Sequence, residues 1–471
     1  MSSAFADPRF LLPAPARSAR VGPGAEAWRQ HLERVGVDTT GARAPDFLVT
    51  GPAAIEAEGV PSVVVEGAAR LQGYTNRRYV VFGNRERPVL LVPRDRGNVI
   101  SYALSAWSGP QTGARALRRP LIARLPRLAL RLAGWPEVTI ASREPDPPRI
   151  VTAAVRQLGL QDSVDWLLVC GQSDELGRAA FLLFPEATSR PRWVVKFVRV
   201  PGYSDPIDRD EQALAAVAAA GGAAAAHAPR FLCRLEVDGL AASIETAAPG
   251  RRLSAVLSSR GSRTGKTALV DGVAEWIIRV GVETRHGSAA PELDRLRAEV
   301  LGSWPVAPDE LLGGLAGLPA VLQHNDLGSW NIISNGRSDF TAVDWESANP
   351  AGLPLWDLWY FLADALRLLD GEDAAGGAAF ARLFRGEAAA SSDLFRWTRE
   401  AVDALGIPAE GVGKLATLCW LHHGLSVEAR SAAVDRFAAG GRALRPAAAD
   451  YARVWLADPA LGSGWRSWSE R

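Results

Sequence analysis

Residues 318–346 read LPAVLQHNDLGSWNIISNGRSDFTAVDWE, and this stretch decides the fold. An apolar run, Val321-Leu322, delivers His324, Asn325 and Asp326 into a loop, and Asn331 follows five residues after Asp326. Ile332-Ile333 starts a short strand, Asn335-Gly336 makes a turn, and Thr341-Ala342-Val343 returns as a second strand that ends at Asp344. The reading is a hairpin with a carboxylate at its mouth, an amide between, and a carboxylate where the return strand ends. Such a set suits phosphoryl transfer, which needs position and neutralised charge more than covalent help. Asp344 and Asn331 are hard oxygen donors of the kind that hold Mg²⁺. Asp326 stands where a substrate hydroxyl would be oriented and give up its proton. His324, beside it in the same candidate catalytic loop, reads as a brace rather than a reacting group.

HNDLGSWN followed by VDWE resembles the H-x-D-x-x-x-x-N and D-W-E signatures of the aminoglycoside phosphotransferase and choline kinase-like family, distant relatives of the protein kinases. The family usually has Gly where this chain has Asn325, so the middle of the loop departs from the pattern while the Asp-to-Asn spacing is kept. The resemblance covers residues 160–471. It implies an α+β, protein-kinase-like two-lobed fold, with a small β-rich lobe over 160–250 and a large helical lobe over 251–471. It also implies ATP and Mg²⁺ as cofactors and a small-molecule hydroxyl as acceptor. Residue by residue, Lys196 in RWVVKFVRV resembles the strand lysine that reaches the α and β phosphates, and Glu211 resembles the helix glutamate that sets that lysine. The main chain of Glu245, Thr246 and Ala247, just before Pro249-Gly250, falls where the family holds adenine. Asp357 resembles the helix aspartate that bonds back to the catalytic-loop backbone. Glu346 either adds charge near Mg²⁺ or anchors Trp345. A protein kinase fits less well, because no Arg separates His324 from the loop aspartate and Asp344 runs straight into WESANPAGLP.

The loop GQSDELGR between the strand-like WLLVC and AAFLLF could fold over phosphates with backbone N–H groups, with Gly171, Ser173 and Gly177 as its candidate residues. It is poor in glycine, and a plain hairpin turn accounts for it equally well. Together with Asn325, it supports the rival reading of a catalytically silent kinase-like binding or scaffold protein.

The remaining chain bounds the answer. A length of 471 residues predicts two or three domains, and 48% hydrophobic with 22% charged residues is the composition of a globular protein. A net charge of +1 gives no bulk pull toward nucleic acid. Cys170, Cys233 and Cys419 are far apart and read as reduced thiols, and no apolar leader is visible, so a cytoplasmic location is expected. Residues 1–45 read as a lead-in, loosely ordered over 1–25, and 46–150 as a small α/β module with strands near 47–50, 61–65, 78–82 and 88–92. The Pro-rich 144–149 reads as a domain boundary. The basic, leucine-rich 114–134 could touch anionic lipid, which would suit a role near glycan or envelope assembly; an arginine-decorated packing helix accounts for it better. His422-His423 lacks partners at metal-ligand spacing and reads as a packed pair.

Overall fold

In the computed structural model, the residues described are 7–14, 16–40, 44–52, 55, 57–83, 88–106, 135–144, 147–170, 177–186, 188–259, 261–299, 308–335, 339–371, 377–437, 447–458 and 461. The basic stretch 114–134 and the loop residues Gly171 and Ser173 therefore lie outside them. The architecture is mixed α+β. The chain divides into two compact units, one built from 1–208, 231–249 and 433–443 and the other from 209–230, 250–432 and 444–471.

Among the described residues, the first unit is built on one sheet of eleven strands in the order β1-β2-β3-β6-β4-β5-β7-β8-β9-β11-β10. Its strands are β1 (Ala19–Val21), β2 (Phe47–Thr50), β3 (Ser62–Glu66), β4 (Thr75–Gly83), β5 (Pro88–Pro93), β6 (Glu137–Ser142), β7 (Val164–Val169), β8 (Ala179–Pro185), β9 (Trp193–Phe197), β10 (Phe231–Val237) and β11 (Leu240–Thr246). β1, β2 and β3 run parallel, with the helix Ala27–Arg34 between the first two, and β2 is buried along its whole length as a parallel strand should be. The other pairs are antiparallel. Alternation along each strand then feeds two faces. Tyr79, Val81, Leu91, Trp166, Leu168, Phe181 and Leu183 enter one core, while Val80, Leu90, Val92, Leu167, Leu182 and Phe184 enter another.

This continuity corrects two expectations. The Pro-rich 144–149 is no boundary between compact bodies, because β5 pairs with β7, Leu90 opposite Val169 and Leu91 opposite Leu168. The strands assigned to a separate module and those assigned to the small lobe are one sheet with shared cores. The start of the chain is also not loose over its described part. Phe10, Leu11 and Leu12 are buried, Phe10 meets the Phe197 ring edge-on at 4.8 Å, and Arg9 donates to the Arg199 carbonyl at 2.5 Å. Its polar and proline content masked a short apolar anchor, PRFL, that a composition-based reading passes over.

The second unit is mainly helical. The helix Arg263–Thr284 buries Val270, Val273, Trp276 and Val280, and Trp276 donates its indole N–H to the Ala223 carbonyl at 2.8 Å. The helix Trp356–Leu369 carries an apolar face so wide that eleven of its fourteen residues are buried. Its own Trp359 and Phe361, and Phe384, Trp420 and Leu421 elsewhere in the unit, are all nearly inaccessible. The predicted hairpin is present as Ile332–Ser334 against Phe340–Ala342, Ile332 opposite Ala342, with Arg251-Arg252 as a third strand. Val321–Gln323 pairs separately with Asn349–Gly352. Gly250, at φ 157°, has no room for a side chain: an added Cβ would come 2.5 Å from the Ser334 carbonyl oxygen. Among the described residues no helix is long and apolar enough to cross a membrane.

His422 and His423 sit in the helix Ala409–Phe437, and His423 stacks on Tyr360 with centroids 4.0 Å apart. Burial lowers the His422 imidazole to about 4 and pushes His423 well below its ordinary value; charge adds to each effect, Arg295 at His422 and His422 at His423. Both are neutral in the fold, whereas in the unfolded chain they titrate near 6.5. Their contribution is thus fully present above pH 6.5 and is lost as pH falls toward about 4. The melting temperature of a His422→Phe/His423→Phe variant should therefore fall less over that window than that of the parent, by on the order of 5 °C. A melting series across pH checks this; parallel curves would refute it.

Candidate active site

The loop between Gln323 and Ile332 is held from three directions. His324 is the first brace. Its Nδ1 lies 3.4 Å from the Asp326 amide nitrogen and its Nε2 lies 3.0 Å from the Val343 carbonyl oxygen. An amide can only donate and a carbonyl can only accept, so the proton belongs on Nε2. Both ring nitrogens are thereby committed to main chain, and the ring packs on Trp345 with centroids 4.5 Å apart. His324 ties the loop to the residue before Asp344; it has no nitrogen left for chemistry.

Asp357 is the second brace. Its two carboxylate oxygens accept from the His324 amide at 2.6 Å and the Asn325 amide at 2.8 Å. The departure at Asn325 also has a physical account. Its φ is 69°, the left-handed region where Gly is unstrained and Asn is the best tolerated of the residues with a side chain. Asn325→Gly should therefore alter stability by no more than about 1 kcal/mol, whereas Asn325→Val should cost about 2 kcal/mol or more. Urea unfolding of the two variants checks the pair; equal losses would contradict the conformational argument.

Asn331 is the third. Its side-chain Nδ2 donates to the Asp326 carbonyl at 2.9 Å and to Asp326 Oδ2 at 3.0 Å. The main chain repeats the link, since Val343 N donates to Asn331 O at 2.8 Å. With Nδ2 spent inside the loop, Oδ1 of Asn331 is the atom that remains for a cation. Asp344 follows at φ 66°, again left-handed, and Leu355 at 72° opens the helix Trp356–Leu369. Three of the four non-glycine residues with positive φ among the described residues thus belong to this set, the kind of local strain that gathers at functional sites.

The electrostatics place three carboxylates together. Asp326 is raised to about 7, first by burial and then by the charges of Asp344 and Glu346, against the hydrogen bonds from Asn331 and Tyr360. Of the two roles open to Glu346, its charge bears on this acid cluster, while Trp345 is anchored by its own indole N–H on the Ala342 carbonyl at 2.9 Å. Among the described residues no three His, Cys, Asp or Glu side chains form a metal cage by themselves. Mg²⁺ asks for none: it takes one or two carboxylates, keeps waters, and completes its shell with phosphate oxygens. A carboxylate at Asp344, an amide oxygen at Asn331 and the negative charge that raises Asp326 fit that ion.

Three polar partners were not legible. Ser329 donates its amide to Asp364 Oδ2 at 3.1 Å and its hydroxyl to the same oxygen, and Arg367 donates to Asp364 Oδ1 at 2.7 Å. Tyr360 bonds to Asp326. The signal that could have found Tyr360 and Asp364 is their spacing from Asp357, three and seven residues on, which returns to one helix face.

Of the remaining described candidates, all but Glu211 belong to the sheet unit. Lys196 is buried on β9, and its ammonium lies 3.0 Å from Glu245 Oε1, also buried, on β11. The register explains the pair: Lys196 is opposite Ser243, so Glu245 is its diagonal neighbour on the same face. Glu245, assigned through its main chain, thus also supplies a side-chain partner to Lys196. The Ala247 amide donates to the Arg192 carbonyl at 3.0 Å, and Glu245 and Thr246 are laddered to Val194 and Trp193. Of the main-chain groups placed where the family holds adenine, the Ala247 N–H is thus paired with the main chain of Arg192. Gly177 is buried two residues before β8 begins. Glu211 is half-buried on the helix Asp205–Ala220, in the part that belongs to the helical unit.

No family model and no curated protein matches the sequence. Solved structures do. An aminoglycoside-3'-phosphotransferase of type VIII matches at 19% identity, over 54% of this chain and 99% of that one, with a TM-score of 0.31. An aminoglycoside phosphotransferase from Streptomyces rimosus matches at 16% identity, over 55% of this chain and 92% of that one, at 0.32. WbdD, elsewhere described as a bifunctional kinase-methyltransferase, matches at 12% identity, over 84% of this chain and 82% of that one, at 0.29. Aminoglycoside phosphotransferases and a kinase-methyltransferase are thus among the solved structures to which this α+β chain is similar.

Proposed function

We propose that the chain is an ATP- and Mg²⁺-dependent phosphotransferase that moves the γ-phosphoryl group to a hydroxyl of a small molecule, a sugar or amino alcohol. The observation that carries the reading is the loop in which Asn331 donates its amide N–H to Asp326 and keeps its oxygen, beside Asp344. Asp326 orients the acceptor hydroxyl and takes its proton as the oxygen attacks phosphorus. A carboxyl whose pKa is lifted toward neutrality is well matched to that task. Asn331 and Asp344 would hold Mg²⁺, which when bound neutralises the charge on the phosphates. His324 and Asp357 fix the loop so that these groups need no rearrangement. On β9, Lys196 supplies the ammonium for the phosphates and Glu245 keeps it in place.

The test is ADP release with ATP and Mg²⁺ against a panel of sugars, amino alcohols and aminoglycosides. The reading expects at least one acceptor to raise ADP release above the acceptor-free rate, with the activity lost when Mg²⁺ is chelated. Nucleotide binding with no turnover on any acceptor would instead favour the silent binding protein.

A further inference from the structure

The helix Trp356–Leu369 reaches the catalytic loop at three points along one face. Asp357 takes the His324 and Asn325 amides, and Asp364 takes the Ser329 amide and hydroxyl. Between them, Tyr360 bonds through its hydroxyl to the Asp326 carboxylate. Positions 357, 360 and 364 share a helix face by their spacing, so one rigid element grips the loop at its start, middle and end. The Tyr360 ring is itself clamped. It stacks on His423 at 4.0 Å with 17° between planes, and Trp330 meets it edge-on at 5.8 Å. Its hydroxyl donates, since a carboxylate accepts, and Asn331 Nδ2 supplies a second donor at 3.0 Å. A carboxylate held by two fixed donors cannot swing about its own side-chain torsion.

We propose that Tyr360 is a positioning residue: its hydroxyl, fixed by the stack on His423, sets the angle of the Asp326 carboxylate toward the incoming acceptor hydroxyl. The role rests on the phosphotransferase reading given above. Misplacement of a reacting group by about 1 Å costs roughly a hundredfold in rate. The geometry therefore predicts a loss that falls on turnover rather than on binding.

Tyr360→Phe removes the hydroxyl and keeps the stacked ring. Its kcat should fall about 10- to 100-fold, with KM for ATP and acceptor within about twofold and the melting temperature within about 2 °C. A merely structural role would lower the melting temperature and spare kcat. A readout independent of turnover is the side-chain carboxyl ¹³C resonance of Asp326 in aspartate-labelled protein, identified by its absence in Asp326→Asn. It should shift in Tyr360→Phe. An unmoved resonance overturns the proposal whether or not the protein transfers phosphate, and so does a moved resonance with kcat unchanged. A parent protein that shows no transfer while the resonance moves refutes the assigned reaction and leaves the Tyr360 contact standing.

Discussion

Asp326→Asn is expected to lower kcat by about a thousandfold while leaving nucleotide affinity within a few-fold of the parent. The substitution keeps the shape of the side chain and removes its capacity to accept a proton, and positioned proton acceptors are worth roughly 10²–10⁴ in rate. Stability should respond in the opposite direction. Asp326 is raised to about 7 because it is buried beside the charges of Asp344 and Glu346, so a neutral side chain relieves a like-charge contact that the folded chain otherwise tolerates. The melting temperature of the variant should hold or rise. Loss of rate together with unchanged or increased stability is the signature of a group kept for chemistry at a cost to the fold. Steady-state ADP release and thermal melting on one preparation measure both, and turnover within tenfold of the parent would count against Asp326 as the acceptor of the proton.

Asp357→Ala should damage stability and turnover together. Asp357 accepts two main-chain N–H groups, at 2.6 and 2.8 Å, from the residues that lead into Asp326. Removing it leaves both donors without their partner, at about 1–3 kcal/mol each where water does not replace it. The total expected from urea unfolding is about 3 kcal/mol. The left-handed conformation of Asn325 is also released, because the acid that pins its amide is gone. Loop disorder of that kind should lower kcat about a hundredfold even though Asp357 touches no reacting atom. Asp357→Asn, which can still accept at one oxygen, should recover part of both losses; no recovery would argue that the charge, and not the pair of hydrogen bonds, is what matters.

The catalytic hairpin was legible because its chemistry is written in local spacing. Asp326, Asn331 and Asp344 are eighteen residues apart end to end, and the strands between them are short and apolar. Strands β2, β3 and β5 were legible for the same reason, as runs rich in β-branched residues between turn residues. The continuity of the sheet was not, because the pairing of β5 with β7 joins segments about seventy residues apart and no local pattern specifies which strand lies beside which. The Lys196–Glu245 pair failed to show for the same cause: a diagonal contact across two strands depends on register. Tyr360 and Asp364 were hidden in a helix whose tryptophans and leucines read as core, and a polar residue on such a face shows its purpose only once the loop it meets is in place.

The central claim is that Asp326, Asn331 and Asp344 form a site for a divalent ion bound with a triphosphate. The most direct test is thermal melting of the parent and of Asp344→Ala with a non-hydrolysable ATP analogue, with and without Mg²⁺. Ligand at about a hundred times its Kd should add about 2.7 kcal/mol of stability to the parent. That gain should require Mg²⁺ and should be lost in Asp344→Ala. Stabilisation of equal size without Mg²⁺, or undiminished in Asp344→Ala, would contradict the account.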